Sequence, residues 1–194
     1  FYHCHTLDFR SRCYQVTNYL NGQGVDFAKA LHLFGTGKKI TEENNGGYWL
    51  AVTGAGLYGI DKVTRQEQVQ WVNENFDVFK EMQQDPFTNR EWEKADKPFQ
   101  FLAWCNEWVQ FQEHGYGYES TFICSQDGSC NGIQHYAAIL KHKGTAEAVN
   151  LTNNEKPNDV YTVVKDKVID NLKTMTDSPL AKLWLEYGVK RSTV

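Results

Sequence analysis

Three observations predict an α+β chain in which helix dominates. Apolar residues recur at spacings of three and four over 66–83, 98–113 and 154–172. Two shorter stretches, 10–20 and 121–127, are rich in β-branched and aromatic residues, as strands are. Apolar residues make up 41% of the 194 and aromatics 14%, which excludes a disordered or low-complexity chain.

The elements follow in order. Residues 10–20 read as a strand closing in the turn Asn21-Gly22. Phe27, Ala30, Leu31 and Phe34 form a short helical stripe, broken by Gly35 and Gly37. Val69, Val72, Phe76 and Phe79 give the clearest amphipathic helix, over 66–83, and Asp85-Pro86 ends it. Asp96 is placed to cap a helix from Pro98 to about Glu113, with Phe99, Leu102, Cys105 and Val109 inward. Residues 121–127 read as a strand, Gly128 turns the chain, and a helix runs from Gly132 to Lys141. Asn154 opens a long helix with Val160, Val164, Val168 and Leu172 on one face. Ser178-Pro179 starts a last helix carrying Leu180, Leu183, Trp184 and Tyr187, which Gly188 can end.

Charge and composition narrow the function classes. The 20 basic and 24 acidic residues leave a net charge of −4, without the global footprint of a nucleic-acid binder, though a local basic site remains compatible with it. No apolar run approaches the roughly 20 residues of a membrane-spanning helix, and no signal peptide is visible. The five cysteines lack any CxxC spacing, so reduced thiols in an intracellular protein are expected. The chain starts at Phe1 within an aromatic stretch and stops at Val194 without a cap, and is expected to be a piece of a longer one.

Two motifs read as decoys. Gly54-Ala55-Gly56-Leu57-Tyr58-Gly59 is a formal GxGxxG, but a dinucleotide loop must open a helix at once, and here residues 60–65 intervene. His3 and His5 point the same way in an extended segment, yet no third or fourth zinc ligand stands at a recognisable spacing. Alternation along a strand puts Asp8, Arg10 and Arg12 on one face, where two guanidiniums can grip successive phosphates, or can simply form a solvated edge with a local Asp–Arg pair. The most informative segment runs from Ser125 to Tyr136. A strand delivers the Asp127 carboxylate at its tip, and Gly128 lets the backbone approach a ligand, so that its carbonyl can become a second hard oxygen donor for Mg²⁺; Asp-Gly is equally a common turn.

The segment Asp127-Gly128-Ser129-Cys130-Asn131-Gly132-Ile133-Gln134-His135 resembles the motif that carries the first metal-binding Asp of single-subunit, bacteriophage-type RNA polymerases, a family that includes the mitochondrial enzyme. The rest agrees in order. Asp8-Phe9-Arg10-Ser11-Arg12-Cys13-Tyr14 resembles the family's D-x-R-G-R-x-Y, with Ser11 where the family usually has Gly. Tyr58-Gly59-Ile60-Asp61-Lys62 resembles its G-x-D-K stretch. Asp85-Pro86, Trp92, Ala95-Asp96 with Pro98, and the run from Gln100 to Cys105 match a further block. Ala148 to Leu151, Asp159 with Tyr161, and Tyr187-Gly188-Val189 with Arg191 match the approach to the fingers helix.

The resemblance implies part of a right-hand polymerase: palm over 1–37 and 118–143, a helical insertion over 38–117, and the start of the fingers over 144–194. It implies template-directed nucleotidyl transfer from NTPs to an RNA 3′ end with two Mg²⁺ ions. By the same resemblance Asp127 would bridge both ions and Gly128 would add its carbonyl. Arg191, Lys62 and Tyr161 would line the nucleotide pocket, and Arg10 and Arg12 would hold template or hybrid phosphates. DNA template, nascent RNA and NTPs are the implied partners, with no membrane and a monomeric parent enzyme in an infected host's cytoplasm or, alternatively, a mitochondrion. A related DNA polymerase is the alternative, though Gly128-Ser129-Cys130 replaces its usual aromatic residue and Ser; an inactive structural remnant is another. The family's second metal Asp and its fingers Lys and Tyr find no match here, so the chain alone is expected to be inactive.

Overall fold

The computed structural model describes residues 1–126 and 128–190, and the chain divides into two compact units, Phe1–Gln126 and Asp127–Val194. Asp127 and Arg191, both singled out by the sequence, lie outside the described residues.

The first unit opens with a two-stranded antiparallel ribbon, β1 (His5–Leu7) and β2 (Cys13–Gln15), in which His5 pairs with Gln15 and Leu7 with Cys13. A short helix α1 (Asp26–Ala30) follows, then β3 (Lys38–Lys39). Four helices build the core: α2 (Gly46–Tyr58), α3 (Arg65–Glu74), α4 (Phe76–Gln84) and α5 (Pro98–His114), with a 3₁₀ turn at Glu91–Lys94. β4 (Glu119–Ser120) then returns antiparallel to β3.

Aromatic packing holds this unit together. Trp104, Phe101 and Phe79 are almost completely buried with Met82 and Val72. Phe101 and Trp104 stack at 5.3 Å, and Phe79 meets Trp104 edge-on at 5.3 Å. Antiparallel packing of α2 on α5 depends on two glycines seven residues apart. A Cβ on Gly54 would lie 2.0 Å from the Trp104 ring, and one on Gly47 would lie 2.8 Å from Phe111. The Trp104 indole N–H donates to the Leu50 carbonyl at 2.8 Å, one turn before Gly54, and so fixes the ring in that notch. The glycine run is therefore helix interior and helix end: Gly54 and Gly56 lie inside α2, and Gly59 terminates it at φ 110°. The run opens no helix: α3 starts only at Arg65, after residues 60–64, so no helix N-terminus stands at the glycines to receive a pyrophosphate, which removes the dinucleotide reading.

The second unit contains α6 (Asn131–Leu140), α7 (Lys143–Ala148), α8 (Val160–Thr174) and α9 (Pro179–Tyr187). α6 packs on α7 and α8 on α9. Its buried apolar residues, among those described, are Ala137, Ala146, Val149 and Ala181. Ser178 caps α9 by accepting from the Ala181 N–H, with Pro179 at the first turn, as the sequence indicates.

Several expected elements are corrected. Residues 10–20 do not form one strand: only Cys13–Gln15 is extended and paired, and 8–12 make the hairpin loop. The stripe at 26–34 yields only α1, with Phe27, Leu31 and Phe34 exposed. The helix over 66–83 is two helices, because Asn75 leaves helical geometry (φ −102°, ψ 14°) and turns its side-chain amide back onto the Trp71 carbonyl. Helix α5 is not capped by Asp96. The residue before it is Lys97, and the Phe99 and Gln100 N–H groups donate to Asp26 of α1, at 2.7 and 3.3 Å. Its inward face is Phe101, Trp104 and Trp108 beside Cys105 and Val109, whereas Phe99 is half exposed. The long helix starts at Val160 under an Asp159 cap, not at Asn154. Residues 121–126 form no strand; the Thr121 carbonyl accepts from the Phe34 N–H, and no other described segment offers this stretch a ladder.

Candidate nucleic-acid and nucleotide site

The arginine motif is a carboxylate-centred loop. Asp8 receives the backbone N–H groups of Arg10 at 2.8 Å and Arg12 at 3.0 Å, and the Arg10 guanidinium at 3.0 Å. These contacts, the Arg12 N–H foremost, hold its carboxyl below the ordinary carboxylate range. The loop reverses at Ser11, which takes a left-handed φ of 59°. That conformation suits glycine, and it explains physically why Ser11 stands out in the D-x-R-G-R pattern. The reversal also overturns the shared strand face expected from alternation. Arg10 folds back onto Asp8 and reaches the Tyr14 hydroxyl at 3.4 Å, while Arg12 has an exposed side chain and, among the described residues, no ion pair. Of the two, Arg12 is the guanidinium available to a phosphate.

Lys62 lies in the exposed connection between α2 and α3 and pairs with Asp61 at 3.0 Å. Both side chains are more than half exposed, so the pair is weak and exchangeable for a stronger anion.

In the second unit the loop that follows Gly128 meets Tyr161 through Cys130 and meets Asn150 through Ser129. Cys130, left-handed at φ 57°, precedes α6, and its thiol donates to the Tyr161 hydroxyl at 3.0 Å. The Asn150 amide donates to the Ser129 hydroxyl at 3.3 Å and to the Asn158 carbonyl at 2.8 Å, and its oxygen accepts the Asn158 N–H at 2.7 Å. Asp159 caps α8 and so fixes the start of the helix that presents Tyr161. A Cβ at Gly128 would fall 2.1 Å from Asn131 Oδ1, so a side chain there requires the Asn131 amide to move. Sequence reasoning missed Cys130 and Asn150. Asn150 carried a usable signal, an Asn directly after a short helix, where the left-handed conformation is common; it stands at φ 58°.

His3 does not pair with His5. Its Nε2 lies 3.1 Å from His32 Nε2, and no group of three or more His, Cys, Asp or Glu side chains gathers as a metal site among the described residues.

Comparison with known proteins shows the family of the chain. The family model of DNA-dependent RNA polymerase matches residues 40–194. The chain is 36% identical over 214 aligned positions to the DNA-directed RNA polymerase of Enterobacteria phage T3 and, equally, to the T7 RNA polymerase of Escherichia phage T7, covering 97% of this chain and 24% of each relative. It is 38% identical over 176 positions to the mitochondrial DNA-directed RNA polymerase of Neurospora crassa, covering 89% of this chain and 12% of that one. The chain thus spans about a quarter of the length of its phage relatives. It belongs to the family of single-subunit, phage-type DNA-dependent RNA polymerases.

Proposed function

We propose that this chain is the part of a DNA-directed RNA polymerase that carries the metal-binding Asp127 and part of the nucleotide pocket, extending an RNA 3′ end from NTPs on a DNA template and releasing pyrophosphate. The observation that carries the reading is the cluster that draws the Gly128 loop and Tyr161 together at the head of α6. By the family's layout, 1–37 and 118–143 belong to the palm, 38–117 to a helical insertion and 144–194 to the fingers.

The residues fit magnesium. The available donors are the Asp127 carboxylate and the Gly128 carbonyl, hard oxygens that suit a cation which keeps most of its water. Gly128 has no side chain to cover its carbonyl, which leaves the backbone bare for such an approach. Bound to these oxygens, two magnesium ions would supply Lewis-acid activation of the 3′ hydroxyl and charge neutralisation at the leaving pyrophosphate. The chain's own residues do the rest. Arg12, with Arg10 behind it on Asp8, holds a template or hybrid phosphate and positions the strand without reading sequence. Lys62, whose exposed pair with Asp61 is exchangeable, would take a phosphate of the incoming NTP, and the resemblance assigns Arg191 a nucleotide-binding role. Tyr161, oriented by Cys130, packs beside the nucleotide. One carboxylate cannot complete a two-ion site, so the chain alone is inactive and the parent supplies the rest, as a monomer working in an infected host's cytoplasm or in a mitochondrion.

The test is RNA synthesis by a full-length polymerase carrying Asp127→Asn, which keeps the shape and removes the charge. Activity is expected to be lost with both Mg²⁺ and Mn²⁺. Near-normal synthesis would overturn the assignment.

A further inference from the structure

The histidines at the start of the chain have no part in the chemistry above, and the fold gives one of them a neighbour far along the sequence. His3 stands in the segment before β1, and His32 stands just past the end of α1. Their Nε2 atoms face each other at 3.1 Å, with ring centres 5.2 Å apart, and both residues are half-buried. The Phe1 ring meets both in T-shaped contacts, at 5.2 and 5.8 Å.

Hydrogen bonds set the tautomer of each ring. His32 Nδ1 lies 2.6 Å from the Ala28 carbonyl. A carbonyl only accepts, so Nδ1 carries the proton and Nε2 of the neutral ring is a bare lone pair. The Thr17 hydroxyl donates its one hydrogen to the Leu20 carbonyl at 2.9 Å, the shorter of its two contacts, so its oxygen accepts from His3 Nδ1 at 3.3 Å. His3 Nε2 is then a bare lone pair as well. Two such acceptors 3.1 Å apart repel each other unless a cation lies between them.

The spacing suits a metal ion. Two imidazole nitrogens bound to one ion at about 2.0–2.1 Å stand roughly 3.0–3.4 Å apart when the bonds open by about 95–110°, near the tetrahedral angle. The observed 3.1 Å falls in that range. Histidine ligands usually donate the other ring N–H to an oxygen, which fixes the tautomer and aims the lone pair, and both rings here do so. Imidazole suits zinc, copper and nickel, whereas magnesium and calcium prefer oxygen. We propose that His3 and His32 form a two-histidine site for a divalent transition-metal cation of the zinc type, with water in its remaining positions. No third His, Cys, Asp or Glu joins them among the described residues, so the ion is held weakly and exchanges. Its effect is that of a clip: residues 29 apart in sequence are joined, and the segment that leads into the β1–β2 ribbon is tied to the end of α1.

The experiment uses the full-length polymerase, with Zn²⁺ as the probe and Mg²⁺ in excess to fill sites built of hard oxygens. Equilibrium dialysis with metal analysis should find one Zn²⁺ whose affinity falls by more than about tenfold in His3→Gln and in His32→Gln. Cys4→Ser and His5→Gln should bind it as the parent does. Thr17→Val removes only the oxygen behind His3 and should weaken it about tenfold. Zn²⁺ should also slow exchange of the Val16 amide, which donates to the Cys4 carbonyl beside His3, and should do so in neither histidine variant. Binding unchanged in both histidine variants would overturn the inference, and a shared proton would then hold the pair. Binding that is lost with Cys4 or His5 and kept without His32 would overturn it too. Should His32→Gln lower the thermal midpoint in the absence of Zn²⁺, His3→Gln decides alone, because His3 lies in no helix or strand.

Discussion

Gly54 and Gly56 stand two residues apart in α2, and exchanging each for alanine should move stability in opposite directions. At Gly54 the new methyl would meet three Trp104 ring atoms at 2.0–2.5 Å. That ring cannot swing away: it is fully buried, stacked on Phe101 and Trp108, and tied to Leu50 through its indole N–H. Overpacking of this kind costs about 3 kcal/mol, and the gain in helix propensity returns about 1, for a net loss near 2 kcal/mol. At Gly56 nothing lies within 4 Å of the added carbon, so only the propensity gain of about 0.5–1 kcal/mol remains. Urea unfolding followed by tryptophan fluorescence reports directly on this core. With a slope of about 2 kcal/mol per molar, Gly54→Ala should lower the midpoint by about 1 M and Gly56→Ala should raise it by about 0.3–0.5 M. Midpoints that move in the same direction, or a Gly54→Ala protein as stable as the parent, would refute the notch between α2 and α5.

Ser11→Gly should stabilise the chain by about 0.5–1 kcal/mol, as relief of left-handed strain outweighs the added chain entropy; a destabilised variant in the same urea assay would contradict the loop geometry. Asp8 has a folded pKa below its unfolded one, so its contribution is complete above the unfolded value near 4 and is lost only as pH falls through the lower, folded value; a carboxyl NMR titration with its midpoint at or above 4 would contradict this. Cys105 is buried and its thiol is pushed far above the ordinary range, so it should resist alkylation under native conditions while exposed Cys4 and Cys13 react; mass spectrometry showing early Cys105 modification would exclude the packing described.

The helices with one apolar face were legible in the sequence, their starts less so. α4, α5 and α9 follow their periodicity, and the Ser178-Pro179 start of α9 was read directly, whereas the Thr64–Glu67 capping box at the head of α3 was a signal passed over. α2 was not legible, because its glycines suppress any propensity signal and its apolar residues surround the axis. Only the aromatic partners on α5 reveal why those glycines belong in a helix. The cap of α5 was equally hidden: Asp26 is 73 residues from Phe99, and no local rule links them. At the candidate site the residue types were readable, but not their company. Alternation placed Asp8, Arg10 and Arg12 on one strand face, whereas the reversal at Ser11 separates the roles of the two arginines. Cys130 and Asn150 escaped because their importance lies in tertiary hydrogen bonds to Tyr161 and Asn158.

The Asp26 carboxylate on the first turn of α5 also bears on the order in which the unit assembles. A contact between residues 26 and 99 closes a long loop, and its entropy is lost before any bond is gained. The pairs α2–α3 and α4–α5 are close in sequence and bury the aromatic core without help from α1. Those four helices can therefore condense first, leaving the α5 N-terminus open until α1 arrives and Asp26 takes its amides. The β1–β2 ribbon and α1 then form the last part to dock and the first to open. Hydrogen exchange should find the Phe99 and Gln100 amides released with α1, well before the amides in the middle of α5.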